Sequence, residues 1–397
     1  MQTTRIYRLN HLPSSLQRRL YEAQEEAARV WTQCRDLHLE ARQQHLPWPD
    51  RIALQKATKG QFALHSQTVQ MICHTFLTVI ELTRQMRRIN PRLRYPYKDK
   101  RFHPLYWPAQ AVSYERGRVV LPMGRGRRSL VLKLDAPEGA GACQLVWKDG
   151  YELHVMFQSE PPAEPPGDQR AAIDLGEIHL AAVTTSDGAA LVVSGRGIRT
   201  LKRSRHMVQR RISLRLARCQ RGSKRWRRLV RARRRYSARI ARRVRDLRHK
   251  ATRTVAEFCA AHDVGKVYIG NPRGVRRHWR GRRQNQRMGQ WEYRRDIEYL
   301  TGKYAQRGIE SFTGPEWGTS SRCPECGARH KPKNREWRCP RCGFSGHRDV
   351  VGSANMHMLA YGEPITFPHA ITYRRAGPVR AAPRTEQPRC VARAGMP

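Results

Sequence analysis

Four cysteines, Cys323, Cys326, Cys339 and Cys342, form two CPxCG knuckles with twelve residues between them in "CPECGARHKPKNREWRCPRCG". Each knuckle carries Pro after its first Cys and Gly after its second, an arrangement that lets backbone amides turn toward thiolate sulfurs. Paired thiolates at this spacing select a tetrahedral Zn2+. Because four thiolates leave no open coordination position, the expected role is structural rather than catalytic. His330 and His347, which flank the second half of the motif, are expected to be surface or nucleic-acid-facing residues rather than ligands. The other six cysteines, Cys34, Cys73, Cys143, Cys219, Cys259 and Cys390, are scattered singly, as in a reducing compartment rather than in a disulfide framework.

Only six residues beyond the second knuckle, Asp349 heads the apolar helical stretch "DVVGSANMHMLAYG". A second isolated acid, Asp174, lies inside the first strand of the hairpin "RAAIDLGEIHLAAVTTSDGAALVVSGRG", whose Ser-Asp-Gly is a turn signal. An acid in mid-strand is costly unless chemistry requires it. The order of strand with acid, hairpin, strand, helix, strand and acid-headed helix is the ribonuclease-H-like scheme, in which carboxylates hold divalent metals over a scissile phosphate. Mg2+ suits such a set because it prefers hard oxygen donors, and two-metal hydrolysis takes three or more of them.

The elements that must position these groups can be read along the chain. Residues 1–11 read as the first strand of a small β-barrel, and 12–90 as an inserted helical domain. Residues 91–168 supply the remaining barrel strands and end in the Pro-rich linker "PPAEPPGD". Residues 169–318 form the α/β body with the two acids' scaffold; 319–346 hold the metal knuckles; 347–362 form the last helix; 363–397 read as a disordered basic tail. Within the body, residues 196–260 are a long helical hairpin. From Arg196 to Lys250 it carries 24 Lys or Arg and one acid, Asp246.

Charge of one sign at that density lacks the partners of an ordinary solvated helix face, and reads as a phosphate track. Arg225, Arg227, Arg228, Arg231, Arg233, Arg234, Arg235 and Lys250 are its candidate contacts. The whole chain of 397 residues has 77 Lys plus Arg against 32 Asp plus Glu, a formal charge of +45. A balance so cationic repels itself without a polyanion. With no run of about 18 apolar residues and no secretory leader, nucleic acid rather than a membrane is the expected partner, inside the cell. Trp48, Tyr95, Tyr97 and Trp107 lie among basic residues and are readable either as base-stacking platforms or as packing residues.

"IDLG" with Asp174, "LRHK", "VYIGNPRG", "QWEYRR…YL", the CPxCG pair and "RD" with Asp349 together resemble, in that order, the RuvC-type nuclease half of TnpB. TnpB is a transposon-encoded RNA-guided DNA endonuclease related to the compact type V CRISPR effectors. The resemblance covers residues 170–360 and extends loosely to the N-terminal half. It implies a multidomain α/β protein: a ribonuclease-H-like RuvC domain with a zinc-ribbon insertion, preceded by a wedge β-barrel with an inserted helical recognition domain. It further implies guide RNA and double-stranded target DNA as partners, recognition of a short target-adjacent motif, catalytic Mg2+ beside structural Zn2+, and a prokaryotic cytoplasm, on the nucleoid when DNA is bound. No membrane association is implied.

In one place the sequence departs from the family. Its usual second acid closes the "VYI" strand, where this chain has Gly270. The helical face Tyr293, Ile297, Leu300 and Tyr304 puts Glu292 and Asp296 on its flank, so Glu292 is the expected replacement, making Asp174, Glu292 and Asp349 the catalytic magnesium ligands. The competing readings are a nuclease-dead RNA-guided repressor and an unguided zinc-ribbon RNA-binding protein.

Overall fold

The computed structural model describes residues 2–160, 162, 164–272, 281–332, 334–376 and 385–386, without the side chains of 283, 385 and 386. The last two residues of "VYIGNPRG" and most of the C-terminal stretch lie outside this set. The chain divides into two compact units, 1–159 and 160–397. Among the described residues no helix is long and apolar enough to cross a membrane.

The first unit contains β1 (Gln2–Leu9), α1 (Ser14–Gln43), α2 (Arg51–Thr58), α3 (Ser66–Ile89), β2 (Leu105–Trp107), β3 (Ser113–Glu115), β4 (Arg118–Leu121), β5 (Leu130–Lys133), β6 (Ala140–Trp147) and β7 (Tyr151–Gln158). β1 pairs antiparallel with β7, about 150 residues later, in a four-stranded sheet of order β1-β7-β6-β2, and β3-β4-β5 form a second sheet. The helices are therefore an excursion between two strands of one sheet. α2 lies between the two long helices, and its Asp50 side chain accepts from the Ala53 amide as an N-cap. Of the aromatics considered for stacking, Trp107 is buried in the core. Tyr95 and Tyr97 stack on each other beside His38, whose Nδ1 lies 2.8 Å from the Tyr97 hydroxyl.

The second unit is built on β8 (Gln169–Leu175), β9 (His179–Thr185), β10 (Ala190–Ser194), β11 (Val264–Asn271), β12 (Glu310–Pro315), β15 (Ile371–Arg375) and β16 (Thr385–Glu386) in the order β12-β11-β8-β9-β10-β15-β16. Between them run α4 (Arg196–Ala217), α5 (Lys224–Ala261), α6 (Arg282–Gln290), α7 (Tyr293–Ala305), a β13–β14 hairpin (Glu336–Arg338, Ser345–His347) and α8 (Arg348–Tyr361). β8, β11 and β12 are mutually parallel. One expectation is corrected. The tail contributes a strand, because the β-prone "ITYRR" pairs parallel with β10. The helix bearing Tyr293, Ile297, Leu300 and Tyr304 is preceded by α6, and the chain breaks between the two at Trp291 and Glu292, where the indole is buried in the core.

Strand alternation decides which way each β8 side chain points. Ala171, Ile173 and Leu175 join the core with Ile240, Val244 and Val255 of α5 and Leu300 and Tyr304 of α7. Ala172 packs on the opposite face with Tyr268 and Met356 of α8. Asp174, two residues after Ala172, faces α8 as well. That helix docks through Ser353, whose hydroxyl donates to the Ala172 carbonyl at 2.8 Å and lies 2.9 Å from Thr184 Oγ1.

Candidate active site and metal centre

α8 can approach β8 closely because Gly352 has no side chain: a Cβ there would stand 2.8 Å from Asp174 Oδ2. The approach brings the head of α8, with Asp349, to the carboxyl end of β8. Asp174 and Asp349 then share the wall of a cavity of about 260 Å³ with Glu177, His179, Tyr293 and Arg335. Desolvation, then the negative charges of Asp349 and Glu316, push the Asp174 carboxyl well above the usual carboxylate range, against the opposing pull of Arg348 and Arg335. Desolvation also opposes ionisation of Asp349. There it is outweighed by the His179 hydrogen bond and by Arg335 and His347, and the carboxyl is held below its usual range.

The contacts of Asp349 are specific. His179 Nδ1 lies 2.7 Å from Oδ2, and Arg335 Nη1 donates to both carboxylate oxygens at 2.7 Å. His347 corrects the expectation of a surface residue: it is half-buried, its ring 5.1 Å from that of His179, and burial pulls its pKa down to about 4. Among the described residues, His179, His347 and Asp349 present ligand atoms within 4.8 Å of one another.

Immediately before α8 lies the cysteine cluster. All four sulfurs fall within 4.8 Å of one another, with Cys323–Cys342 at 3.7 Å and Cys326–Cys339 at 3.5 Å. Four sulfurs at about 2.3 Å from a central Zn2+ would stand about 3.8 Å apart, so the cluster fits a zinc ribbon. The glycines are explained too: Gly327 and Gly343 take φ of 69° and 76°, each donating its amide to the carbonyl of its knuckle's first Cys at 3.1 Å. The ribbon is tied to α8 by Asn355 Nδ2, which donates to the Thr319 and Arg322 carbonyls at 2.7 Å, and by the Arg348 amide, which donates to the Arg335 carbonyl at 2.8 Å. The cysteine-bearing segment thereby carries Arg335 to the Asp349 carboxylate.

Of the three acids expected to converge, the structure brings Asp174 and Asp349 together and leaves Glu292 apart. Glu292 precedes α7, and its carboxylate lies 2.8 Å from Lys202 Nζ, 2.9 Å from Arg295 and 3.6 Å from Arg248. Burial opposes its ionisation, but Lys202 first and then Arg248 and Arg295 hold it below the ordinary range. The helix face was read correctly, since Leu300 and Tyr304 are buried; the flank, however, meets cations of the basic hairpin. Two residues near Asp174 and Asp349 went unread. His179 opens β9 in "GEIHL", and Glu316 directly follows β12. Glu316 does have a sequence signal: it ends a parallel strand, and in α/β sheets ligand sites collect at carboxyl ends. Desolvation raises its pKa to about 7.

On the basic hairpin, Arg225, Arg227, Arg228, Arg231, Arg234 and Arg235 are exposed, Arg233 is half-buried, and exposed Lys250 pairs with Asp246 at 2.8 Å. Nearer the sheet, α5 turns Ile240, Val244, Arg248 and Val255 inward. The hairpin thus has an anchored half and a projecting, arginine-covered half.

Residues 153–276 match the family described as OrfB_IS605, probable transposase, and residues 293–356 match the Cas12f1-like TNB domain. TnpB-like protein ORF457 of Acidianus two-tailed virus is 25% identical over 235 residues, 55% of this chain and 49% of that protein. Over these stretches the chain resembles TnpB-like proteins. It spans about half the length of that curated relative. The chain in the cryo-EM structure of the Cas12f1-sgRNA-target DNA complex superposes with a TM-score of 0.61 at 13% identity, over 87% of the present chain and 83% of its own. The α/β fold therefore resembles that of Cas12f.

Proposed function

We propose that this TnpB-like chain is an RNA-guided DNA endonuclease in which Asp174 and Asp349 help form a divalent-metal site. One observation carries the reading: Asp174, near the carboxyl end of β8, is desolvated beside Asp349 at the head of α8 and Glu316 just after β12. A divalent cation relieves that arrangement, whereas a purely structural core has no use for it. The oxygen donors fit Mg2+, which when bound supplies charge for the phosphate and an activated water. His179 orients the Asp349 carboxylate, and Arg335 occupies both its oxygens until it is displaced. The four cysteines hold Zn2+ and keep the ribbon over the substrate strand.

The remaining assignments follow the same reading. Residues 169–318 are the ribonuclease-H-like RuvC domain, with 347–362 as its last helix. Residues 1–11 and 91–168 are a wedge β-barrel, and 12–90 a helical recognition domain gripping guide RNA and target-adjacent DNA. Arg225, Arg227, Arg228, Arg231, Arg233, Arg234, Arg235 and Lys250 contact phosphates, while base pairing reads sequence. The complex works on cytoplasmic, nucleoid DNA. The test is to sequence the RNA that co-purifies, then to assay cleavage of a matching duplex with Mg2+. The expected result is cleavage by the unmutated protein and none by Asp174→Ala or Asp349→Ala, with binding retained. Guided binding without any cleavage by the unmutated protein would overturn the enzymatic part.

A further inference from the structure

Gly270 ends the buried run of β11, and what surrounds it is informative. A Cβ at this position would stand 2.7 Å from Met356 Sδ and 3.1 Å from Glu316 Oε2. The space a side chain from 270 would enter is thus already filled, on one side by a carboxylate oxygen. That carboxylate arrives from the neighbouring strand. β11 and β12 run parallel with Gly270 opposite Gly314 and Asn271 opposite Pro315, so Glu316 leaves the same carboxyl edge one strand further out.

Its backbone is held in place for this. The Thr319 hydroxyl donates to the Glu316 carbonyl at 2.9 Å, and the Tyr268 hydroxyl donates to the Pro315 carbonyl at 2.6 Å. The second bond needs Gly314, where a Cβ would meet the Tyr268 hydroxyl at 2.4 Å. Glu316 Oε2 is buried and has no hydrogen-bond partner among the described residues, although this chain carries a large excess of cations. An orphaned buried carboxylate oxygen is rare unless something absent from the protein pairs with it. Its charge acts on Asp174, the acid near the carboxyl end of β8 on the far side of β11. Glu292, by contrast, is satisfied by Lys202, Arg248 and Arg295.

We infer that Glu316 is the third carboxylate of the metal site, delivered by β12 into the space left by Gly270, with Tyr268 and Gly314 positioning it. This rests on the reading of Asp174 and Asp349 as metal ligands. The consequence is an acid moved between adjacent strands rather than lost.

The experiment compares Glu316→Gln, Glu292→Gln and Asp174→Asn in zinc-loaded, full-length protein. Mn2+ binding is measured by electron paramagnetic resonance without nucleic acid, and target cleavage with guide RNA. Glu316→Gln is expected to weaken Mn2+ binding at least tenfold and cleavage at least a hundredfold without lowering the unfolding temperature of metal-free protein. Glu292→Gln should keep Mn2+ affinity within about twofold while lowering that temperature. The triple variant Glu316→Gln/Gly270→Glu/Met356→Ala, which moves the acid back and clears Met356 from its path, should restore Mn2+ binding.

If Glu316→Gln binds Mn2+ like the unmutated protein while Asp174→Asn does not, this inference is wrong and the underlying reading stands. If Mn2+ binding depends on Glu316 but the unmutated complex never cuts DNA, the third ligand stands and the endonuclease reading fails. No Mn2+ binding by the unmutated protein overturns both.

Discussion

Removing Asp296 tests what the flank of α7 is for. Arg248 of α5 and Asp296 are both 1% exposed in their side chains, with Nη1 3.2 Å from Oδ1. The same guanidinium donates to the Glu292 carbonyl at 3.0 Å and lies 5.5 Å from the Trp291 ring centre. Asp296→Ala leaves a buried arginine facing only the more distant Glu292 carboxylate. Breaking a buried pair in this way costs about 3–5 kcal/mol, and the lower end applies because Glu292 remains. A cost of about 3 kcal/mol corresponds to roughly 150-fold faster exchange of core amides that open globally.

The pH dependence follows from the same geometry. Desolvation outweighs Arg248 and Lys202 and raises the Asp296 pKa to about 6. The folded state therefore binds this proton before the unfolded chain does, so the group's contribution is fullest below about pH 4 and is lost as pH rises through about 6. The cost of Asp296→Ala should accordingly be larger at pH 5 than at pH 7.5, by about 1 kcal/mol. Hydrogen exchange at amides of α5 and β11 reads this directly and avoids assuming that both compact units unfold together. The double variant Arg248→Met/Asp296→Leu should recover most of the loss, since hydrophobic replacement of a buried pair is often neutral. An acceleration below about fivefold for Asp296→Ala, or a double variant worse than the single, would refute the account of this flank as an ion cage.

Three further outcomes are expected. Elemental analysis should find one zinc per chain, and Cys326→Ser should lose it together with ribbon stability; a zinc-free, stable protein would contradict the ribbon. Target binding should fall about a thousandfold between about 50 and 200 mM salt for a footprint of six phosphates, and paired charge reversals at Arg227 and Arg231 should weaken all sequences alike and flatten the slope. Because Arg335 competes for both oxygens of Asp349 through a half-exposed charged hydrogen bond worth about 1.4 kcal/mol, Arg335→Met should tighten Mn2+ binding by up to about tenfold, and unchanged or weaker binding would exclude that competition.

What could be read from the sequence was whatever is local. The two knuckles declare themselves because all four ligands and both φ-positive glycines lie within 21 residues of chain. Asp174 was legible because an acid breaks the alternation of an otherwise apolar strand, and Asp349 because it starts a helix. The basic hairpin was legible as charge but not as two halves. Arg248 and Arg234 are the same letter, and only packing against Trp291 and Asp296 makes one of them a core residue. Reading the hairpin's charge as a phosphate track left Glu292 seemingly free to hold a metal, when Lys202 and Arg248 are its partners.

The missing acid was illegible for a different reason. A carboxylate ligand is required at a point in space, and a parallel sheet offers that point to more than one strand. Position 270 on β11 and position 316 beyond β12 reach it from adjacent strands only because Gly270 stands opposite Gly314, a register that no local pattern in "VYIGN" or "SFTGPE" reveals. The two positions also exclude each other, since a side chain at 270 would enter the space taken by the Glu316 carboxylate and Met356. Gly270 is then the condition for Glu316 to reach the site. A glutamate restored at 270 while Glu316 and Met356 remain should therefore disrupt the site, and it becomes tolerable only when both neighbours withdraw.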